Sequence, residues 1–219
     1  RWRQTSLRDG SRGGFTVVEV MVASSVALTV SIGVFAFFFT SFKIGFVSRE
    51  RNKINADIRS LTSRLVEDGR QSNYFLIYDS TDSADRDEAS DRQLDGSSGD
   101  FLLFVYTEES DAVMESSKIT GLVGYYRATQ TDDEDELAPV RRFEETYTPA
   151  SSEAVETLLD DASLLTGARD VIELSRGLAN GDLFYNFWGR SVMVNGQIYH
   201  GNEAKRVTET YNFTLSPRG

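Results

Sequence analysis

Few side chains in this 219-residue chain are placed to do bond chemistry. His200 is its one histidine; it follows the Asn195-Gly196 pair and precedes Gly201, so it reads as a turn residue and not as a general base. There is no cysteine, which removes thiol nucleophiles and disulfides together. Glu108-Glu109 and Glu144-Glu145 are neighbours in sequence. On a strand such neighbours point to opposite faces and cannot share a proton. The aspartates 79, 82, 85, 87, 91 and 95 lack the Asp-x-Asp-x-Asp-Gly spacing of a calcium loop, and no metal ligand set is expected. No Gly-x-Ser-x-Gly elbow or phosphate-cradling glycine loop occurs. Phe184, Tyr185, Phe187 and Trp188 have the composition of a sugar platform, but at strand spacing they are expected in the core. The expectation is a non-enzymatic protein with no cofactor.

One carboxylate does stand where it needs a reason. Residues 15–42 form an apolar run whose only ionisable side chain is Glu19. At about 1.5 Å per residue the run is long enough to cross a bilayer as a helix. A carboxylate near the start of a lipid-buried helix is costly without a partner.

The residues around it, Gly14-Phe15-Thr16-Val17-Val18-Glu19, resemble the prepilin-peptidase signature of type IV pilins and pseudopilins. That signature has a glycine before the cut, an aromatic residue after it and a glutamate at the fifth mature position. The resemblance implies cleavage between Gly14 and Phe15, N-methylation of Phe15 and use of Glu19 in filament docking. Glu19 of one subunit would then face the new ammonium of a neighbour in a low dielectric, which fixes register even where the net energy is small. Many members carry a proline at the twenty-second mature position; here Ala36 stands there, and the usual source of a kink is missing.

The elements that must position these residues follow in order. Residues 1–14 form a basic leader, with four arginines against Asp9. Residues 15–68 read as one long helix of roughly 80 Å, membrane-spanning over 15–42 and amphipathic over 43–68. Its second half carries a stripe of Ile44, Val47, Ile54, Ile58, Leu61 and Leu65, with Arg51 the one miss. Ile54, Ile58, Leu61 and Leu65 are expected to fix the helix to the head, and Gly69 to stop it. Residues 69–219 form that head. The polar stretch 79–100 reads as a long exposed loop or a disordered insertion, and the acidic run 132–136 as a solvated connection between two strands. Strands are expected at 101–106, 121–127, 140–147, 170–175, 183–188, 191–199 and 206–215, with Asn195-Gly196 as a hairpin turn. A helix over 152–165 is expected, capped by Ser152.

The fold class is therefore α+β: a long N-terminal helix on a largely antiparallel sheet with one minor helix. The order of parts, with Asp68-Gly69-Arg70-Gln71-Ser72, Gly124-Tyr125-Tyr126-Arg127 and Leu215-Ser216-Pro217-Arg218, resembles J-type pseudopilins of type II secretion and W-type minor pilins. The resemblance implies an inner-membrane, single-pass protein with an extracytoplasmic head, built into a pilus or pseudopilus. The partners it implies are prepilin peptidase, other pilins or pseudopilins, an inner-membrane assembly platform and membrane lipid. A minor subunit is expected, because a large head with long acidic loops would crowd a tightly wound polymer. The formal charge is −11, and with the leader's +3 removed the rest carries −14, which argues against direct nucleic-acid binding. The rival reading is an anchored adhesin or envelope binding module that never polymerises.

Overall fold

The computed structural model describes residues 14–109, 117–128, 138–160, 163–174, 182–202 and 205–217. The leader reading on residues 1–14, apart from Gly14, and the acidic run 132–136 lie outside them. The chain divides into a unit ending at Ser48 and a head unit beginning at Arg49, with helix α1 (Val17–Gln71) contributing to both.

In the first unit the apolar side chains of α1 are exposed as far as Ile44. Phe15, Val17, Phe37, Phe39 and Phe42 are all exposed, and the most apolar window has none of its surface buried. This helix is long and apolar enough to cross a membrane. Its hydroxyls turn back onto the helix: Ser24 donates to the Val20 carbonyl (2.7 Å), Ser25 to Val22 (2.8 Å), Thr29 to Ser25 (2.9 Å), Ser31 to Ala27 (2.8 Å) and Thr40 to Ala36 (2.9 Å). Such a bond satisfies a hydroxyl by the carbonyl one turn back, whatever surrounds the helix. The helix runs through Ala36 without a break.

The head unit is built on two antiparallel sheets, where the sequence reading expected one. Strands β1 (Tyr74–Tyr78), β3 (Phe101–Thr107), β4 (Ile119–Arg127), β5 (Ala138–Ser151) and β6 (Arg169–Leu174) form the first, in the order β1-β3-β4-β5-β6. Strands β2 (Ser98–Gly99), β7 (Phe184–Phe187), β8 (Ser191–Asn202) and β9 (Lys205–Leu215) form the second, in the order β2-β7-β8-β9. β1, a continuous apolar run, is a strand the sequence reading left unassigned.

The first sheet is covered on both faces, which explains why Phe101-Leu102-Leu103-Phe104-Val105 does not alternate: all five are fully buried. One face packs Leu76, Tyr78, Phe101, Leu103, Leu122, Tyr126 and Phe143 against Val155, Leu158, Leu159 and Leu164. The other receives α1, since Tyr106 and Tyr125 both reach Asp68. β9 alternates as expected over its outer half, with Tyr211 and Leu215 buried and Thr210, Asn212 and Thr214 exposed.

Several expectations are corrected. Asn195 and Gly196 are no turn: they lie in mid-β8, opposite Asn212 and Tyr211, in an eleven-rung ladder with β9. That ladder, which runs as far as Asn202 opposite Lys205, outweighs a two-residue turn preference. His200 accordingly sits in the ladder opposite Val207. Gly69 does not stop α1, which continues to Gln71; it is buried inside the helix because the Leu215 side chain occupies the space where a Cβ would go. The expected helix over 152–165 is two short pieces, α2 (Val155–Leu159), with Ala154 as its cap in place of Ser152, and α3 (Ser163–Thr166). β5 runs on to Ser151 and uses the chain that would have opened a longer helix.

Candidate functional sites

At the start of α1, Gly14 has open space around it and Phe15 is 86 % exposed. Glu19 leans back one turn. Its Oε2 accepts from the Thr16 backbone N–H (2.9 Å) and the Thr16 hydroxyl (3.1 Å), while the Glu19 N–H donates to Thr16 Oγ1 (3.3 Å). This is a reciprocal capping box, in which two backbone donors at the helix start are satisfied by side chains. The Thr16-x-x-Glu19 spacing was the signal for it, and it gives the carboxylate a partner within its own chain.

The helix side of the head site is an interrupted apolar stripe. Ile54, Leu61 and Leu65 are buried and Ile58 is half-buried, whereas Ile44 is 64 % exposed. The position that Arg51 missed is taken one residue earlier by Glu50, buried and bonded to Lys53 at 3.1 Å.

At the inner end of the stripe stands Asp68, buried near the C-terminal end of α1. Arg142 on β5 clasps it through Nε (2.9 Å) and Nη2 (3.0 Å), and the Tyr125 hydroxyl donates to Oδ2. The Asp68 carbonyl accepts from the Tyr106 hydroxyl (2.9 Å), and the remaining arm of Arg142 reaches Glu144 (2.9 Å). Hydrogen bonding to Asp68 lifts Arg142 further above its usual range against the opposing effect of burial. Burial, reinforced by Asp68, pushes the Tyr125 phenol up, so it stays a donor.

The polar stretch 79–100 is held down by two arginines that a hydrophobicity reading overlooks. Arg86 is buried, bonding the Leu159 carbonyl and the Thr81 carbonyl (3.1 Å). Arg92 binds Glu156 on α2 at 2.7 Å, and Tyr78 donates to the same carboxylate at 2.9 Å. Burial pushes Glu156 up, but the bonds from Arg92, the backbone and Tyr78 outweigh it and hold the carboxyl below its usual range. The expected exposed loop remains largely exposed, but it is anchored and includes two turns of 3-10 helix.

Asp100 ties the two sheets together: Oδ2 accepts from Arg127 of β4 (2.8 Å) and Oδ1 from the Leu183 N–H before β7 (2.9 Å). Burial raises its pKa despite Arg127.

The aromatic quartet splits, and the core expectation holds for only part of it. Phe184 is buried and Tyr185 half-buried, while Phe187 and Trp188 are exposed. Among the described residues no three carboxylate, histidine or cysteine side chains converge as a metal ligand set. Compared with protein-family models, with curated proteins and with solved structures, the chain matches none.

Proposed function

We propose that this chain is a minor pilin or pseudopilin, a structural subunit of a type II secretion pseudopilus or type IV pilus, assembled through α1 after prepilin peptidase removes the leader. The observation that carries the reading is the Gly14-Phe15 junction with Glu19 as the sole ionisable group of residues 15–42. The unburied apolar surface of that helix supports it, because a segment so exposed requires lipid or neighbouring helices. In this mechanism Phe15 supplies the methylated amine and Glu19 the countercharge that sets axial position. Ile54, Leu61 and Leu65 carry the head, which stands on the extracytoplasmic side of the inner membrane and meets other subunits. Co-expression with a prepilin peptidase followed by mass spectrometry tests the processing step. The expected mature chain begins at methyl-Phe15; an intact arginine-rich leader refutes the reading.

One observation favours a second reading, a non-polymerising anchored binding module. Glu19 is already satisfied by Thr16, so capping alone can account for it. Thr16→Val removes the hydroxyl half of the box and leaves the carboxylate. If Glu19 docks, Thr16→Val still co-purifies with sister subunits and Glu19→Ala does not; if it only caps, neither substitution changes association.

A further inference from the structure

In the described part of the head unit three large apolar side chains stand exposed: Leu94 (71 %), Phe187 (52 %) and Trp188 (66 %). They occupy two turns fastened side by side. In the first, Ser97 N–H bonds the Leu94 carbonyl (2.9 Å). Asn186 of β7 holds this turn through its backbone, accepting from Gly96 N–H (3.0 Å) and donating to the Ser97 carbonyl (2.8 Å), and its Nδ2 donates to the Gln93 carbonyl (2.8 Å). Its Oδ1 accepts from Gly189 N–H (2.8 Å), so one asparagine binds both turns.

The second turn, Phe187 to Arg190, closes through Arg190 N–H to the Phe187 carbonyl (3.2 Å). Both of its central residues have positive φ, 56° at Trp188 and 62° at Gly189. Asparagine or glycine takes that conformation readily, and a bulky ring does not. The turn itself therefore gives no reason for a tryptophan, and its exposure gives it no role in the core. Strain of this kind gathers where a side chain is held out for use. Tryptophan is also the residue most enriched at the centres of binding surfaces.

Charge identifies the occupant. The segment 79–95, which carries Leu94, holds seven acidic residues against Arg86 and Arg92. Both arginines are spent inward, on Leu159 and on Glu156. Asp82, Asp87, Glu88 and Asp95 are left exposed on this segment, Asp95 next to Leu94, and although Arg190 is exposed in the second turn the segment keeps a net charge of −5 in a chain of −11. An anionic lipid surface, a nucleic acid or a second copy of this acidic head would be repelled.

We propose that the Leu94, Phe187 and Trp188 tip docks a polypeptide that presents an aliphatic or aromatic anchor flanked by lysine or arginine. This docking does not depend on how the N-terminus is processed. The test is peptide phage display against the full chain in lipid nanodiscs, with subtraction on empty nanodiscs. Enriched peptides share an apolar anchor beside basic residues, weaken as salt rises and lose at least tenfold in affinity for Trp188→Asn. Thermal unfolding of that variant occurs at the same or a higher temperature, whereas a tryptophan with a merely structural role would lower it. The proposal is overturned by failure to enrich any peptide, by acid-flanked peptides or by equal affinity for Trp188→Asn. It is equally overturned if the tip instead binds neutral glycans on an array or mediates self-association seen by sedimentation.

Discussion

Replacing Asp68 by alanine removes the acceptor of three bonds at once, two from Arg142 and one from Tyr125. Deleting one member of a buried ion pair costs about 3–5 kcal/mol. Arg142 keeps Glu144 and is itself 20 % exposed, which places its share near the lower end, about 3 kcal/mol. The fully buried Tyr125 hydroxyl, left without its acceptor, adds about 1 kcal/mol. The sum of about 4 kcal/mol corresponds to a fall of about 8–16 °C in Tm for a chain of this size. Thermal unfolding followed by circular dichroism in detergent measures it. A cycle with Tyr125→Phe isolates the coupling: alone that change costs about 1 kcal/mol, and in the Asp68→Ala background it costs nothing, because the orphaned hydroxyl is gone. A shift below about 3 °C, or the same cost of Tyr125→Phe in both backgrounds, would show that Asp68 does not hold α1 to the sheet.

Asp100 and Glu156 predict opposite pH slopes. Burial raises Asp100 above its ordinary 3.8, so the native state holds its proton more tightly. The stability advantage of wild type over Asp100→Asn is then full below about pH 4 and shrinks as pH rises through the raised value. For Glu156, held below its ordinary 4.5, the advantage over Glu156→Gln is full above about pH 5 and is lost as pH falls through the depressed value. Denaturant titrations of the three proteins at pH 4 and pH 7 read both, and slopes of the same sign would contradict the assignment. Gly69→Ala drives a methyl into Leu215 and is expected to cost about 1–3 kcal/mol, recovered in part by Leu215→Ala. If Gly69→Ala is neutral by the same unfolding assay, the close approach of α1 and β9 is wrong. Trp188→Asn is expected to stabilise by about 1 kcal/mol through relief of its positive φ, and a lower Tm in that variant counts against the strain.

What could be read from the chain followed its periodicities. The 3-4 stripe named Ile54, Leu61 and Leu65, all buried, and the two-residue alternation of β9 named Tyr211 and Leu215. Where reading failed, a longer-range constraint overrode a local signal. Asn195-Gly196 has turn chemistry, but the ladder with β9 places it in mid-strand. Gly69 looked like a terminator because nothing in the sequence shows that Leu215, 146 positions later, needs its space. Stretch 79–100 looked loose because its anchors, Arg86 and Arg92, are charged, and only their partners on α2 reveal that they point inward. Asp68 was invisible as a hub for the same reason: a carboxylate's worth depends on what tertiary structure brings to it.

The back-bonded hydroxyls of α1 bear on what its surroundings can be. Since Ser24, Ser25, Thr29, Ser31 and Thr40 already spend their protons on carbonyls of their own helix, none of those donors calls for a partner from the surroundings. On the proposed reading, passage of α1 from lipid to neighbouring helices would leave these five groups paired, so that side-chain packing would decide between the two surroundings.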